Sequence, residues 1–244
     1  MTTTTRHDNR IFASLYERCS RTTTFQHEID PWRTKLSEQA HGVVLEIGAG
    51  GGQNFAFYGP TVTQRVVATE PNAFMRQRAQ SAVHAARVPI EIVATTAEKL
   101  PFADASFDTA LATLVFCSVD DPALALSEIR RVLKPSGTLL LFEHVLSRQR
   151  FWAVAQRLVT PLQRRIAGNC HLDRDTISAV RAAGFTTTSE EWSGAGIHPQ
   201  VAIVAQRDWG PLSFSTKAIT HPQHLHSRYG ALEDGENVQR LFVF

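Results

Sequence analysis

Glu46-Ile-Gly-Ala-Gly-Gly-Gly52 closes a short apolar run, Val43-Val-Leu-Glu-Ile47, and decides how the rest of the chain reads. An apolar run of this length ending in glycines predicts a buried strand that passes straight into a tight turn. Glycines let the backbone turn sharply and approach a ligand closely. Their spacing narrows the choice of ligand. A dinucleotide fingerprint would set glycines at 48, 50 and 53, but position 53 is Gln53. The glycines here fall at Gly48, Gly50 and Gly52, with the acidic Glu46 two places before the first. Taken alone, the loop is equally compatible with a turn that binds nothing.

Working outward, apolar strand patterns alternate with helical ones. Arg65–Thr69, Ile90–Ala94, Phe107–Ala112 and Thr138–Phe142 read as further strands. Residues 9–40 read as helical. The stretch from Asn72 to about Arg87 is a helix with Met75, Ala79, Ala82 and Ala86 on one face. Asp121 and Pro122 punctuate the start of another helix, which Lys134-Pro-Ser-Gly137 is expected to end. Arg148–Ile166 is a basic, amphipathic helix. Its Trp152, Gln156, Leu158 and Leu162 are expected to pack over a pocket. Asp173–Ala183 is a helix with Leu172 and Ile177 as a hydrophobic staple, stopped by Gly184. Residues 185–192 and 200–206 pair as an antiparallel hairpin. This alternation predicts an α/β fold with a largely parallel sheet covered by helices on both faces. Residues 1–40 form a helical cap and 41–207 the main domain, with a helical insertion at about 146–170. Residues 208–244 read as a loosely packed extension.

Composition excludes several classes. The 244 residues carry a formal net charge of +2, too mild to argue for nucleic acid. Hydrophobic residues make up 43%, enough for a full core. The three cysteines lie far apart with no CxxC pair, which argues against a disulfide framework or a cysteine-only zinc site. No metal centre is expected. No apolar run approaches the roughly 18 residues of a membrane span, and the first residues lack the apolar core of a signal peptide. A cytoplasmic setting is expected.

Several stretches carry chemistry. Glu70 ends the second strand, where its two carboxylate oxygens suit a pair of ribose hydroxyls. That acid does not by itself separate a nicotinamide cofactor from others. Thr96-Ala97-Glu98 follows the third strand, and Thr113-Leu-Val-Phe-Cys-Ser-Val119 closes the fourth. Cys117 reads as a packed residue. Glu143-His144 ends the fifth strand at the same edge, where His144 serves as a base, orients a substrate, or supports the sheet edge. Cys170 and His171 are soft ligands, but sequence neighbours seldom build a metal site alone.

Together, residues 43–206 resemble a class I S-adenosylmethionine-dependent methyltransferase. Leu45-Glu-Ile-Gly-Ala-Gly50, Asn54-Phe-Ala-Phe-Tyr58, Thr113–Val119, Glu143-His-Val145, Gly168-Asn-Cys-His-Leu-Asp-Arg174 and Ala183-Gly-Phe185 look closest to the methyltransferase-like 7 (thiol methyltransferase) group and its bacterial relatives. The resemblance implies a Rossmann-like sheet of seven strands, mostly parallel, ending in the antiparallel hairpin. It implies S-adenosylmethionine as cofactor and S-adenosylhomocysteine as product. It places the cofactor on Glu46, Gly48, Ala49, Gly50, Gly52 and Asn54, on Glu70 and Pro71, on Ala97 and Glu98, and on Thr113 and Leu114. His144 is the candidate catalytic residue. Mammalian members carry an N-terminal hydrophobic anchor, which this chain does not show, so stable membrane insertion is not carried over.

The expected reaction is methyl transfer to a small molecule, with a thiol as the first acceptor and a phenol, quinone or phospholipid as alternatives. The cofactor brings the electrophilic methyl group, so the protein aligns the acceptor and excludes water. Two further rivals remain, a nicotinamide oxidoreductase and a non-catalytic cofactor-binding module. Oligomeric state is not legible in the residues.

Overall fold

The computed structural model describes residues 10–208, so expectations for residues 1–9 and for the extension beyond 208 lie outside the described residues. Two helices come first, α1 (Arg10–Ser20) and α2 (Thr23–Ser37), then β1 (Gly42–Ile47) and a single 3-10 turn (Phe55–Phe57). The order continues β2 (Thr63–Thr69), α3 (Ala73–Ala85), β3 (Ile90–Val93), β4 (Phe107–Thr113), α4 (Pro122–Val132) and β5 (Leu133–His144). Last come α5 (Arg150–Ile166), α6 (Thr176–Ala182), β6 (Phe185–Ser193) and β7 (Gln200–Arg207).

The strands form one seven-stranded sheet in the order β3-β2-β1-β4-β5-β7-β6. The first five run parallel, and β7 lies antiparallel between β5 and β6. Strand alternation divides the core between the two faces. Leu45, Ile47, Val67, Leu139 and Leu141 pack with Leu126 and Ile129 of α4 and Val180 of α6. Val44, Val66, Ala68, Leu140 and Phe142 pack with Ile29 and Leu36 of α2 and Ala79 of α3. From β1 the chain runs outward to β2 and β3, then returns to β4 on the other side of β1. The strand order therefore reverses between β1 and β4, and a crevice opens beyond their carboxyl ends.

Capping fixes where the helices begin. Asn72 accepts from the N–H groups of Phe74 and Met75, and Asp121 from those of Ala123 and Leu124. Such caps contribute about 1 kcal/mol each.

Three expectations needed correction. Lys134–Gly137 does not end α4, which stops at Val132; it bulges within β5, whose pairing jumps from Phe107↔Leu133 to Thr109↔Thr138. The cap of α6 is Asp175, which accepts from Ser178 N, so Leu172 and Ile177 are not a staple. The large apolar face of α5 points outward, with Phe151, Val154, Leu158 and Leu162 exposed. Ala153, Gln156 and Thr160 form its buried side instead. The reason is hydrogen bonding, since Gln156 accepts from Ser147 N and donates to Val145 O and Ile197 O.

Candidate active site

A cavity of about 690 Å³ lies beyond the carboxyl ends of β1, β2 and β4. Its size is that of a site for a small organic ligand. Gly48 and Gly50 form one wall, and both hold left-handed backbone, with φ of 63° and 58°. A Cβ on Gly48 would stand 2.7 Å from Val115 Cγ2, so that wall has no room for a side chain.

Four successive amides of the loop are already committed. Ala49 N donates to Thr69 O, Gly50 N to a Glu70 carboxylate oxygen at 2.9 Å, Gly51 N to Gln53 Oε1 and Gly52 N to Ala49 O. A pyrophosphate needs such N–H groups turned toward it, and it would also face the Glu70 carboxylate. The loop therefore suits a neutral or cationic ligand that is rich in hydroxyls. Glu70 is itself fixed by Asn72 N at 2.8 Å, which keeps the carboxylate at the end of β2. Arg76 donates to Glu70 O and Pro71 O, holding this corner from α3.

Behind the loop stands a buried acid. Glu46 accepts from Tyr58 Oη at 2.7 Å and from Asn54 Nδ2 at 3.1 Å. Asn54 Nδ2 also donates to Thr113 Oγ1, which ties β1, the 3-10 turn and β4 together. Burial pushes the Glu46 carboxyl up to about 7, against the pull of its two hydrogen bonds. Glu46, Ala49, Gly52 and Asn54 thus sit behind the cavity lining, where they brace the loop. Gly48, Gly50, Glu70, Pro71, Ala97, Glu98, Thr113 and Leu114 line the cavity.

Leu114 has φ of 58° and donates its N–H to Phe142 O at 2.7 Å. A bulky residue in this region is strained, and the strain turns the chain out of β4 into the cavity wall. Glu98 accepts from the N–H groups of Asp120 and Asp121, fastening the loop after β3 to the start of α4. The opposite wall comes from the N-terminal helices and the 146–170 segment, on which the acceptor pocket is expected to depend, although the sequence singles out none of these residues as lining. Ile11, Phe12, Leu15 and Tyr16 of α1 face the cavity, as do Arg164 and Asn169 near the end of α5. Helical periodicity marks an apolar face on α1 but does not say what the face covers.

His144 stands outside that lining. Its Nε2 lies 3.2 Å from Gln200 Nε2, and its ring meets His198 edge-on. Its nearest chemistry is two thiols, because the ligand atoms of Cys117, His144 and Cys170 all lie within 4.8 Å of one another. Cys170 therefore meets His144, not its neighbour His171, whose N–H donates to Cys117 O. Burial works against the imidazolium of His144, but Cys117 and Glu143 hold its pKa above the usual value. Glu143 is buried, which pushes its carboxyl up to about 8; it accepts from Val115 N and Cys117 N.

With this geometry in place, comparison with known proteins adds what the chain resembles. Residues 45–141 match the model of the methyltransferase domain family. A thiol S-methyltransferase of Rattus norvegicus is 38% identical over 152 residues, 61% of this chain and 62% of that protein. A second, of Homo sapiens, is 33% identical over 59% of each chain. A ubiquinone/menaquinone biosynthesis C-methyltransferase of Hahella chejuensis is 37% identical over 45% of each. The chain spans about three fifths of the length of the thiol methyltransferases it matches. Among solved structures, a putative methyltransferase from Bacillus halodurans superposes with a TM-score of 0.61 at 17% identity, over 72% of this chain and 98% of that one. The cyclase SpnF reaches 0.64 at 17% identity, over 78% and 85%. These two structures share the fold, and the cyclase shows that the fold by itself does not decide the reaction.

Proposed function

We propose that this chain is an S-adenosylmethionine-dependent methyltransferase acting on a small molecule, with a thiol as the first acceptor to test. One observation carries the reading. The glycine loop presents Glu70 to the cavity, while the amides of Ala49, Gly50, Gly51 and Gly52 are spent inside the protein. That chemistry fits a cationic nucleoside and disfavours a pyrophosphate. The names of the relatives support methyl transfer and, more narrowly, a thiol.

When bound, the cofactor supplies an electrophilic methyl group on a sulfonium. We assign Glu70 to the ribose hydroxyls and Gly48 and Gly50 to the close approach of the amino-acid end. Ala97, Glu98 and Leu114 flank the base. The apolar side chains of α1 and the Arg164–Asn169 segment cover the other side, where they exclude water and orient the acceptor. His144 lies outside the lining, which favours an acceptor that ionises unaided. A thiol with a pKa of about 8.5 does so in part at neutral pH, whereas a phenol near about 10 needs a base.

Calorimetry with S-adenosylmethionine against NAD tests the cofactor. A screen of thiols, phenols, quinols and amines, scored by S-adenosylhomocysteine release, tests the acceptor. Binding of NAD in preference to S-adenosylmethionine would sink the reading. Cofactor binding without turnover of any acceptor would leave only a binding module.

The outward face of α5 supports a second reading, that apolar acceptors reach the cavity from an anionic lipid surface. Phe151 and Leu158 are 74% and 77% exposed. Arg150 and Arg157 accompany them, Arg164 and Arg165 follow at the cavity end of the helix, and no acidic residue occurs from 148 to 166. An apolar stripe whose charged neighbours along the helix are all cations suits a helix lying in the headgroup plane of acidic lipids. Among the described residues, no helix is long and apolar enough to cross a membrane.

A further inference from the structure

Three stretches that stand out in the sequence meet at a point the methyltransferase reading does not use. Cys117 lies in the loop after β4, His144 is the last residue of β5, and Cys170 follows α5. Their ligand atoms fall within 4.8 Å of one another, with both thiols buried. We propose that Cys117, His144 and Cys170 form a zinc site.

The donor set is that of a zinc centre with three protein ligands. Two thiolates and one imidazole select a soft or borderline d10 ion over magnesium or calcium, which require oxygen ligands. Two thiolates balance the charge of Zn2+, so the ion enters a buried place without net charge. Tetrahedral bonds of about 2.3 Å to sulfur and about 2.0 Å to nitrogen put neighbouring donors about 3.5–3.8 Å apart. The observed cluster reaches that spacing by closing about 1 Å, which side-chain rotation supplies.

The surroundings hold the ligands in place. His171 N donates to Cys117 O at 2.7 Å, and Asn169 Nδ2 to Ser118 O at 3.0 Å. Arg174 donates to Phe116 O and Val119 O. Glu143 takes the N–H groups of Val115 and Cys117. Gln200, paired in register with His144, stands with its side-chain amide 3.2 Å from His144 Nε2, and turning that amide by 180° lets its oxygen accept an Nε2–H, which leaves Nδ1 unprotonated for a metal. Such an outer partner fixes the tautomer of a metal-bound histidine. The ion would join two segments that line the cavity, the loop after β4 through Val115 and Ser118 and the end of α5 through Asn169, to the end of β5 behind them. Its role is a clamp behind the acceptor wall, independent of which acceptor the enzyme takes.

The test uses the full chain, purified under reducing conditions. Elemental analysis is expected to find one zinc per chain. Replacement by Co2+ is expected to give thiolate-to-cobalt charge-transfer absorption. Cys117→Ser and Cys170→Ser each weaken Zn2+ binding at least a hundredfold against a chromophoric chelator, His144→Asn weakens it by at least tenfold, and Cys19→Ser leaves it unchanged. Wild-type protein that holds no zinc and gives no cobalt–thiolate absorption overturns the proposal, whatever the variants do. So does a mass two hydrogens lower, with Cys117 and Cys170 joined as a disulfide.

Discussion

Gly48→Ala tests the wall of the cavity where sequence and structure meet. Gly48 has φ of 63°, a conformation that costs a residue with a Cβ about 1–2 kcal/mol. The added Cβ would stand 2.7 and 2.8 Å from the two methyl carbons of Val115. Forcing extra volume into a packed place costs about 1–3 kcal/mol. The two effects act on one residue and partly overlap, so a total of about 2–4 kcal/mol is expected. At about 2–4 °C per kcal/mol for a domain of this size, melting falls by about 4–16 °C. Val115 also lines the cavity, so relief by moving its side chain deforms the site. Affinity for S-adenosylmethionine then drops about tenfold to a hundredfold, each tenfold step being about 1.4 kcal/mol. Thermal melting and calorimetry on the same preparations read both effects. Two alanines serve as controls. At Gly59 the nearest atom to the new Cβ is 3.8 Å away, and at Gly51 it is the far end of the Gln53 side chain at 3.2 Å, with no left-handed φ at either. If Gly48→Ala melted and bound like Gly51→Ala, the cradle argument would be refuted.

Other perturbations separate the remaining roles. Glu70→Gln is expected to weaken S-adenosylmethionine binding about tenfold to a hundredfold, the cost of about 1.5–3 kcal/mol for hydrogen bonds to a charged group; unchanged affinity in calorimetry would move the ribose contact elsewhere. Glu46 and Glu143 titrate near 7 and 8 when folded, against 4.5 ordinarily, so the folded state holds more protons between these values. Their contribution to stability is complete below about pH 4.5 and is lost as pH rises through 7 and 8. Melting scans of wild type against Glu46→Gln should show a shallower fall from pH 5 to 7 in the variant, and parallel curves would refute the assignment. Paired Leu158→Ser and Leu162→Ser should abolish sedimentation with vesicles of acidic phospholipid while leaving melting unchanged, since both side chains are exposed. Wild-type protein that stays in the supernatant would instead leave this face to another partner or to another segment of the chain.

How much of this was legible in the sequence depends on how local each cause is. The strand-to-loop passage at Ile47-Gly48 is local, as are the start of α3 beside Asn72 and the cap at Asp121, and each stands within a residue of where the sequence places it. The α4–β5 junction is less local. Lys134-Pro-Ser-Gly137 has every sign of a helix stop, yet the helix has already ended, and the stretch bulges within a strand whose pairing with β4 resumes at Thr138. The face of α5 is not local at all. Its periodicity shows two faces, but only the hydrogen bonds of Gln156 to Val145 and Ile197 reveal which one meets the protein.

His144 shows the limit of arguing from a strand end. It does end β5 at the expected edge of the sheet, but β5 is one strand removed from the reversal between β1 and β4. The loop that leaves β4 at Leu114, with Glu143 fastening Val115 and Cys117, lies between β5 and the cavity. β7 then pairs Gln200 with His144 from the other side. A histidine so enclosed turns to what the covering loops carry, and they carry Cys117 and Cys170. The edge of an open sheet is therefore not one site. In this chain the strands at the reversal face the large cavity, and the next strand faces a thiol–imidazole cluster that no single stretch of sequence contains.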